Sequence, residues 1–192
     1  MTITPTDGTL KVMEKRFPLG EYGKQLWTRE KAKEIRPQLQ GMLQKLNAGE
    51  TLVLDMRGVE VFDYSFANEL FAKTLLTLPV DYPGRFLVVE NLTTYTRENL
   101  EKTLESVGLA MIERKGKTLH LLGKLHPADQ MTFDAVARAK EPVTAAELSS
   151  QLDVNLTAMN ERLSKLARLG LVRREKGISP AGREQYLYAV LA

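Results

Sequence analysis

The chain has 192 residues, with 27 basic and 24 acidic side chains and a formal net charge of +3. At 43% hydrophobic and 27% charged it is ordinary globular material, enough for one or two cores and unlike a disordered or fibrous chain. The absence of cysteine excludes disulfides, iron–sulfur clusters, a thiol nucleophile and cysteine zinc sites, and two histidines leave little for a metal centre or a catalytic triad.

Residues 1–10, with Pro5, Asp7 and Gly8, read as a tail. Residues 11–17 alternate loosely, as a strand does, until Pro18, Gly20 and Gly23 break the pattern. Thr28 suits the N-cap of a helix from Lys31 to about Leu46, started or kinked at Pro37. Trp27 reads as a packing anchor. The apolar run Leu52-Val53-Leu54 is a strand closed by a turn at Arg57-Gly58, and residues 59–62 continue extended. Residues 65–78 form a helix with Phe66, Leu70, Phe71 and Leu75 near one stripe. After the Pro83-Gly84 turn, Phe86-Leu87-Val88-Val89 is a buried-strand pattern. Residues 96–107 are a helix, and residues 110–114 and 118–122 a hairpin around Lys115-Gly116-Lys117. This alternation predicts an α/β layer domain over 10–123, with a boundary between Gly123 and Pro127.

The rhythm then changes. Residues 127–140 form a first helix. Thr144 and Glu147 are a capping box opening a second, residues 145–152. Asn155 caps a third, which runs to about Leu169 with Met159, Leu163 and Leu166 inward and stops at Gly170. Strands follow over 171–176 and 183–190. Three helices and a hairpin, with a short turn between helices two and three, give a small winged helix-turn-helix domain over 127–192. Residues 128–192 closely resemble winged-helix transcriptional regulators through ELSSQLDVNLTAMNERLSKLARLGLVRR and GISPAGREQYLY.

Between Arg162 and Arg183 seven basic residues face one acid, Glu175, a far stronger local excess than that of the whole chain. With the apolar stripe inward, Thr157, Asn160, Glu161, Ser164, Lys165 and Arg168 face outward. The start of a recognition helix reads base edges in the major groove: Asn160 suits adenine, and Arg162 guanine or a phosphate. Glu161 would repel phosphate but accepts from a cytosine amine. Arg174, Lys176 and Arg183 suit phosphates or the minor groove. The expected DNA-binding set is therefore Thr157, Asn160, Glu161, Arg162, Lys165, Arg168, Arg174, Lys176 and Arg183. The partner is duplex DNA, bound as a homodimer over a two-fold site.

In the first half, LVLDMRGVEVFDYSFANELF and GKQLWTREKAKEIRPQL carry a resemblance to the STAS-like family, relatives of anti-sigma-factor antagonists, over about residues 10–122. The resemblance rests on Asp55, Gly58, Val59, Ser65, Phe66, Glu69 and Leu70. It implies a small α/β domain that binds a protein or small-ligand partner rather than catalysing. In such antagonists the serine just after the position of Asp63 is phosphorylated. Here Tyr64 stands there and Ser65 follows. Asp63, Tyr64 and Ser65 are the candidate regulatory or partner contact, and Ser65 is equally an ordinary N-cap.

Enzymatic readings find little support. Asp55 mimics a receiver-domain phospho-acceptor, but the acidic pair that such a site needs is reduced to Glu14. Asp55, Asp63 and Glu69 are explained as turn, cap and helix-surface residues. No phosphate loop, metal set or nucleophile–base pair emerges, and no cofactor is expected. No stretch approaches the roughly 18 apolar residues of a membrane span, and no apolar signal core opens the chain, so no membrane partner and a cytoplasmic, prokaryotic regulator are expected. The alternative is a protein-interaction antagonist whose winged helix docks on a protein.

Overall fold

The computed structural model describes residues 13–116, 118–179 and 181–191. The tail expected over 1–10, the first residues of the expected opening strand, Lys117 and Pro180 lie outside them.

Strand β1 (Glu14–Pro18) leads through a 3₁₀ turn (Leu19–Tyr22) and β2 (Gln25–Leu26) into α1 (Arg29–Gln44). Strands β3 (Thr51–Asp55) and β4 (Val61–Phe62) precede α2 (Tyr64–Ala67), which widens into a π-turn over Asn68–Ala72 and continues as α3 (Lys73–Asp81). Then come β5 (Phe86–Glu90), α4 (Thr94–Ser106), β6 (Ala110–Lys115) and β7 (Thr118–Gly123). The main sheet has the order β1-β3-β5-β6-β7, parallel except for β7. The remaining elements are α5 (Pro127–Arg138), β8 (Val143–Thr144), α6 (Ala145–Leu152), α7 (Leu156–Arg168), β9 (Val172–Ile178) and β10 (Glu184–Val190). Strands β8, β10 and β9 form a small antiparallel sheet in that order.

Some starts differ from expectation for local reasons. Helix α1 begins at Arg29 and runs through Pro37, capped by the Thr28 hydroxyl, which accepts from the Lys31 amide. Helix α4 begins at Thr94 because Thr93 caps it, and Thr96 is the reciprocal partner of the capping box rather than the first residue. Strand β8 is two residues long and carries no pattern that a sequence reading can detect.

The apolar runs of β3 and β5 are continuous because both faces of the sheet are covered. On one face Leu52, Leu54, Leu87, Val89 and Met111 join Ile35, Leu39, Phe66, Leu70 and Leu100 in one core. On the other, Val53, Val88 and Ile112 stand side by side in register. Together with Phe86 and Ala110 they belong to a second core that continues without interruption into Phe133, Val136, Leu163, Leu166, Val172 and Tyr188. The winged helix thus uses the back of the sheet as part of its own core.

Polar contacts fasten this seam. The Arg173 guanidinium of β9 donates to the Gly49 carbonyl and to Thr51 Oγ1, and lies 4.6 Å from the centroid of the Phe86 ring. Within the first half, the Lys124 amide continues the β6–β7 ladder by donating to the Leu109 carbonyl at 3.0 Å, which ties the start of the connection to the sheet. Gly170 ends α7 at φ 71°, and a Cβ there would stand 3.4 Å from the Leu78 side chain. The backbone turn therefore favours glycine at this position, while a Cβ would make only ordinary contact with α3.

Candidate nucleic-acid interface

The helix-turn-helix pair is built by local side-chain chemistry. Thr144 and Glu147 make the reciprocal capping box of α6. Asp153 ends α6 in the left-handed region at φ 51°, a conformation that Asp tolerates better than most residues. Ser149 then donates its hydroxyl to the Val154 carbonyl at 2.6 Å, closing the turn. Asn155 caps α7 by accepting from the Ala158 amide at 2.8 Å.

Along α7, Met159, Leu163 and Leu166 are fully buried, whereas Thr157, Asn160, Glu161, Ser164, Lys165 and Arg168 are exposed and Arg162 is half-buried. The wing adds Arg174, whose guanidinium stacks 4.7 Å from the centroid of the Tyr186 ring. At its turn, Arg183 donates its amide to the Ser179 hydroxyl (3.1 Å), and the Ser179 amide donates to the Arg183 carbonyl (2.8 Å).

Not every expected cation is equally available. Lys165 places its ammonium on the carboxylate of Asp129 in α5, so it braces two helices before it reaches any ligand. Lys176 lies 3.8 Å from Glu184 in an exposed pair, which is weak. Arg173, part of the basic run in the sequence, is turned into the seam with the sheet. Arg162, Arg168, Arg174 and Arg183 have no carboxylate partner among the described residues. The Asn160 amide donates back to the Leu156 carbonyl (2.9 Å), which holds one of its two N–H groups on its own helix.

Sequence reasoning missed what faces this helix. A cavity of about 740 Å³ separates the later part of α7 from residues 78–86 of the other half. Glu161, Ser164, Lys165 and Arg168 line one wall with Arg174, and Arg85 stands on the opposite wall. Thr157 and Asn160 do not line it. The signal in the sequence was indirect: two strands apolar on both faces need a cover on each side.

At the other candidate site the assignments change. Asp63, not Ser65, is the N-cap of α2: one carboxylate oxygen accepts from the Phe66 amide (2.7 Å) and the other from the Thr28 amide (3.2 Å). One side chain thereby anchors the starts of α1 and α2, and Ser65 is the second residue of its helix. Tyr64 is exposed, with its hydroxyl 3.1 Å from Ser106 Oγ. Thr28 sits at φ 75°, ψ 151°, an unusual position for a β-branched residue.

Trp27 is 45% exposed, so it is not the packing anchor expected. Glu69 is not on a helix surface. It is buried in the π-turn, with Lys73 donating to it at 2.6 Å and an Arg36 nitrogen 2.7 Å away. Asp55 accepts from the Arg57 amide and the Asn91 side chain, as a turn residue does. His126 caps α5 through Nδ1, and His120 is exposed on β7. Among the described residues no three His, Cys, Asp or Glu side chains are grouped to hold a metal, and no helix is long and apolar enough to cross a membrane.

Fold and site together define a helix-turn-helix unit mounted on the back of an α/β layer. Residues 39–96 match the family model of a STAS-like domain of unknown function, and residues 119–175 match that of a helix-turn-helix domain. The chain therefore carries a STAS-like domain followed by a helix-turn-helix domain. No curated protein matches it. Among solved structures, a possible transcriptional regulator from Methanosarcina mazei Go1 is similar at 17% identity, with a TM-score of 0.33. That likeness covers 35% of this chain and 57%, less than two thirds, of the other.

Proposed function

We propose that the protein is a transcription regulator whose winged helix binds duplex DNA, under the control of the STAS-like domain. The observation that carries this reading is the set of arginines without carboxylate partners, Arg162, Arg168, Arg174 and Arg183, disposed around the exposed polar face of α7 and its wing. A helix face of this kind fits the major groove, and the wing cations fit the flanking phosphates. Thr157 and Asn160 supply base contacts, with Glu161 and Arg162 beside them. Lys165 acts chiefly by positioning α7 on α5, and Lys176 adds a weaker phosphate contact. The protein works as a homodimer on a two-fold site in the cytoplasm of a prokaryotic cell.

Control takes a specific form in this reading. The winged helix shares a core with the sheet, so it does not swing on a free linker. The STAS-like domain instead positions it, and its partner contact lies at Asp63, Tyr64 and Ser65, where α2 begins.

The test is the salt dependence of duplex binding. Affinity should fall with a log–log slope of roughly minus the number of phosphate contacts. Arg174→Ala and Arg183→Ala should each reduce that slope by about one. Exposed Leu156, Ile178 and Tyr186 favour the second reading, a winged helix that docks on a protein. Weak, sequence-blind DNA binding with no change of slope in the variants would select it.

A further inference from the structure

The cavity between α7 and residues 78–86 is unlike an ordinary packing defect. Its volume of about 740 Å³ lies in the range of small-molecule sites. Part of its wall is apolar, from Leu78, Tyr82 and Val172. Yet three arginines line it, Arg85, Arg168 and Arg174, against a single acid, Glu161, which has no ion-pair partner among the described residues. The charge of Lys165 is already answered by Asp129. Arg85 is fixed by its Nε, which donates to the Leu46 carbonyl (2.9 Å), and its terminal nitrogens have no hydrogen-bond partner among the described residues. Arg174 is fixed by stacking on Tyr186. Gathering like charges at a seam is unfavourable unless an anion answers them, and planar guanidinium groups match the paired oxygens of an oxyanion.

We propose that this cleft binds a small organic anion, an oxyanion group carried on an apolar body, held by Arg85, Arg168 and Arg174 against the apolar wall. The STAS-like and winged-helix halves each supply part of the site. Because Arg168 and Arg174 also belong to the proposed DNA face, an occupied cleft competes with duplex DNA. That consequence, unlike the binding itself, rests on the DNA-binding reading.

The test uses the full chain and two fluorescent probes of similar shape. Anilinonaphthalene sulfonate carries an oxyanion, and N-phenylnaphthylamine is its neutral counterpart. At about 150 mM salt, where exposed charges are largely screened, the sulfonate should bind saturably at one site per chain and more tightly than the amine. Arg168→Gln and Arg85→Gln should each weaken the sulfonate about tenfold, the loss of one charge-assisted contact, and leave the amine unchanged. Arg57→Gln, in the turn after β3, should change neither. Equal binding of the two probes, or sulfonate affinity within about twofold of the parent in Arg168→Gln, overturns the proposal. Should Arg85→Gln lose its fold with the Leu46 contact, Arg168→Gln, exposed on α7, decides alone. Saturating sulfonate should also release a labelled duplex from the parent protein. A chain that binds the sulfonate as described but no duplex keeps the cleft site and loses the DNA reading. A chain that binds duplex but does not distinguish the probes does the reverse.

Discussion

The shared core predicts that the two halves unfold as one, and Ile112→Ala tests it. Ile112 is fully buried on β6, in register with Val88 on one side and Leu121 on the other, within the core that continues into the winged helix. Truncation removes three carbons from a site closed on all sides, which costs about 3 kcal/mol. With a urea m-value of about 2 kcal/mol/M, the unfolding midpoint should fall by about 1.5 M. Two probes report the two halves. Trp27 is the single tryptophan and lies in the STAS-like half, while amide exchange along α7 reports the winged helix. In the parent chain both should give the same midpoint, and in Ile112→Ala both should move together. Loss of α7 protection at a urea concentration that leaves Trp27 unchanged would refute the reasoning. So would a shift confined to one probe.

Arg173→Ala should cost about 2 kcal/mol, since it removes two hydrogen bonds and the contact over Phe86. The loss is read from the same urea curves, with both midpoints falling together by about 1 M. Asp63→Ala strips the cap from α2 and the partner from the Thr28 amide, so it should cost about 1–2 kcal/mol and alter the emission of neighbouring Trp27. Ser65→Ala should be nearly neutral to stability, because Ser65 caps nothing.

Stability should also fall in acid. The Glu14 carboxyl is held below its ordinary value chiefly by the Arg114 hydrogen bond. Burial opposes ionisation of Asp55 and Glu69. It is outweighed by hydrogen bonds from Asn91 and the Arg57 amide at Asp55, and by Lys73 and the Arg36 charge at Glu69. Lowered values in the folded state give stability that is complete above the ordinary carboxylate range and is lost as pH falls through them. Tm should therefore hold between neutrality and mild acid and drop below about pH 4. Glu14→Gln should flatten that drop.

What was legible in the sequence was local. The Thr144–Glu147 box, the Asn155 cap and the Gly170 stop each announce themselves through nearby backbone chemistry, and each appears in the structure. The alternation of β3, β5 and β6 with helices was equally plain. What could not be read depends on contacts distant in the chain. A lone aromatic such as Trp27 looks like core until its neighbours are known. Glu69 looks like a surface acid until a π-turn carries it inward between Arg36 and Lys73. The two apolar faces of β3 and β5 called for two covers, but nothing local named the winged helix as the second. The same limit hid the cleft, since Arg85 and Arg168 meet only when the sheet and α7 are stacked.

Sequence-specific DNA binding through α7 and its wing is the property on which the proposed function rests. The most direct measurement incubates the purified chain with sheared genomic DNA of its source at about 150 mM salt and sequences what is retained, with an Arg168→Ala/Arg174→Ala double variant alongside. Enrichment of a short two-fold motif, lost in the variant, is the predicted result. Recovery that is flat across the genome and identical for the two proteins would contradict it.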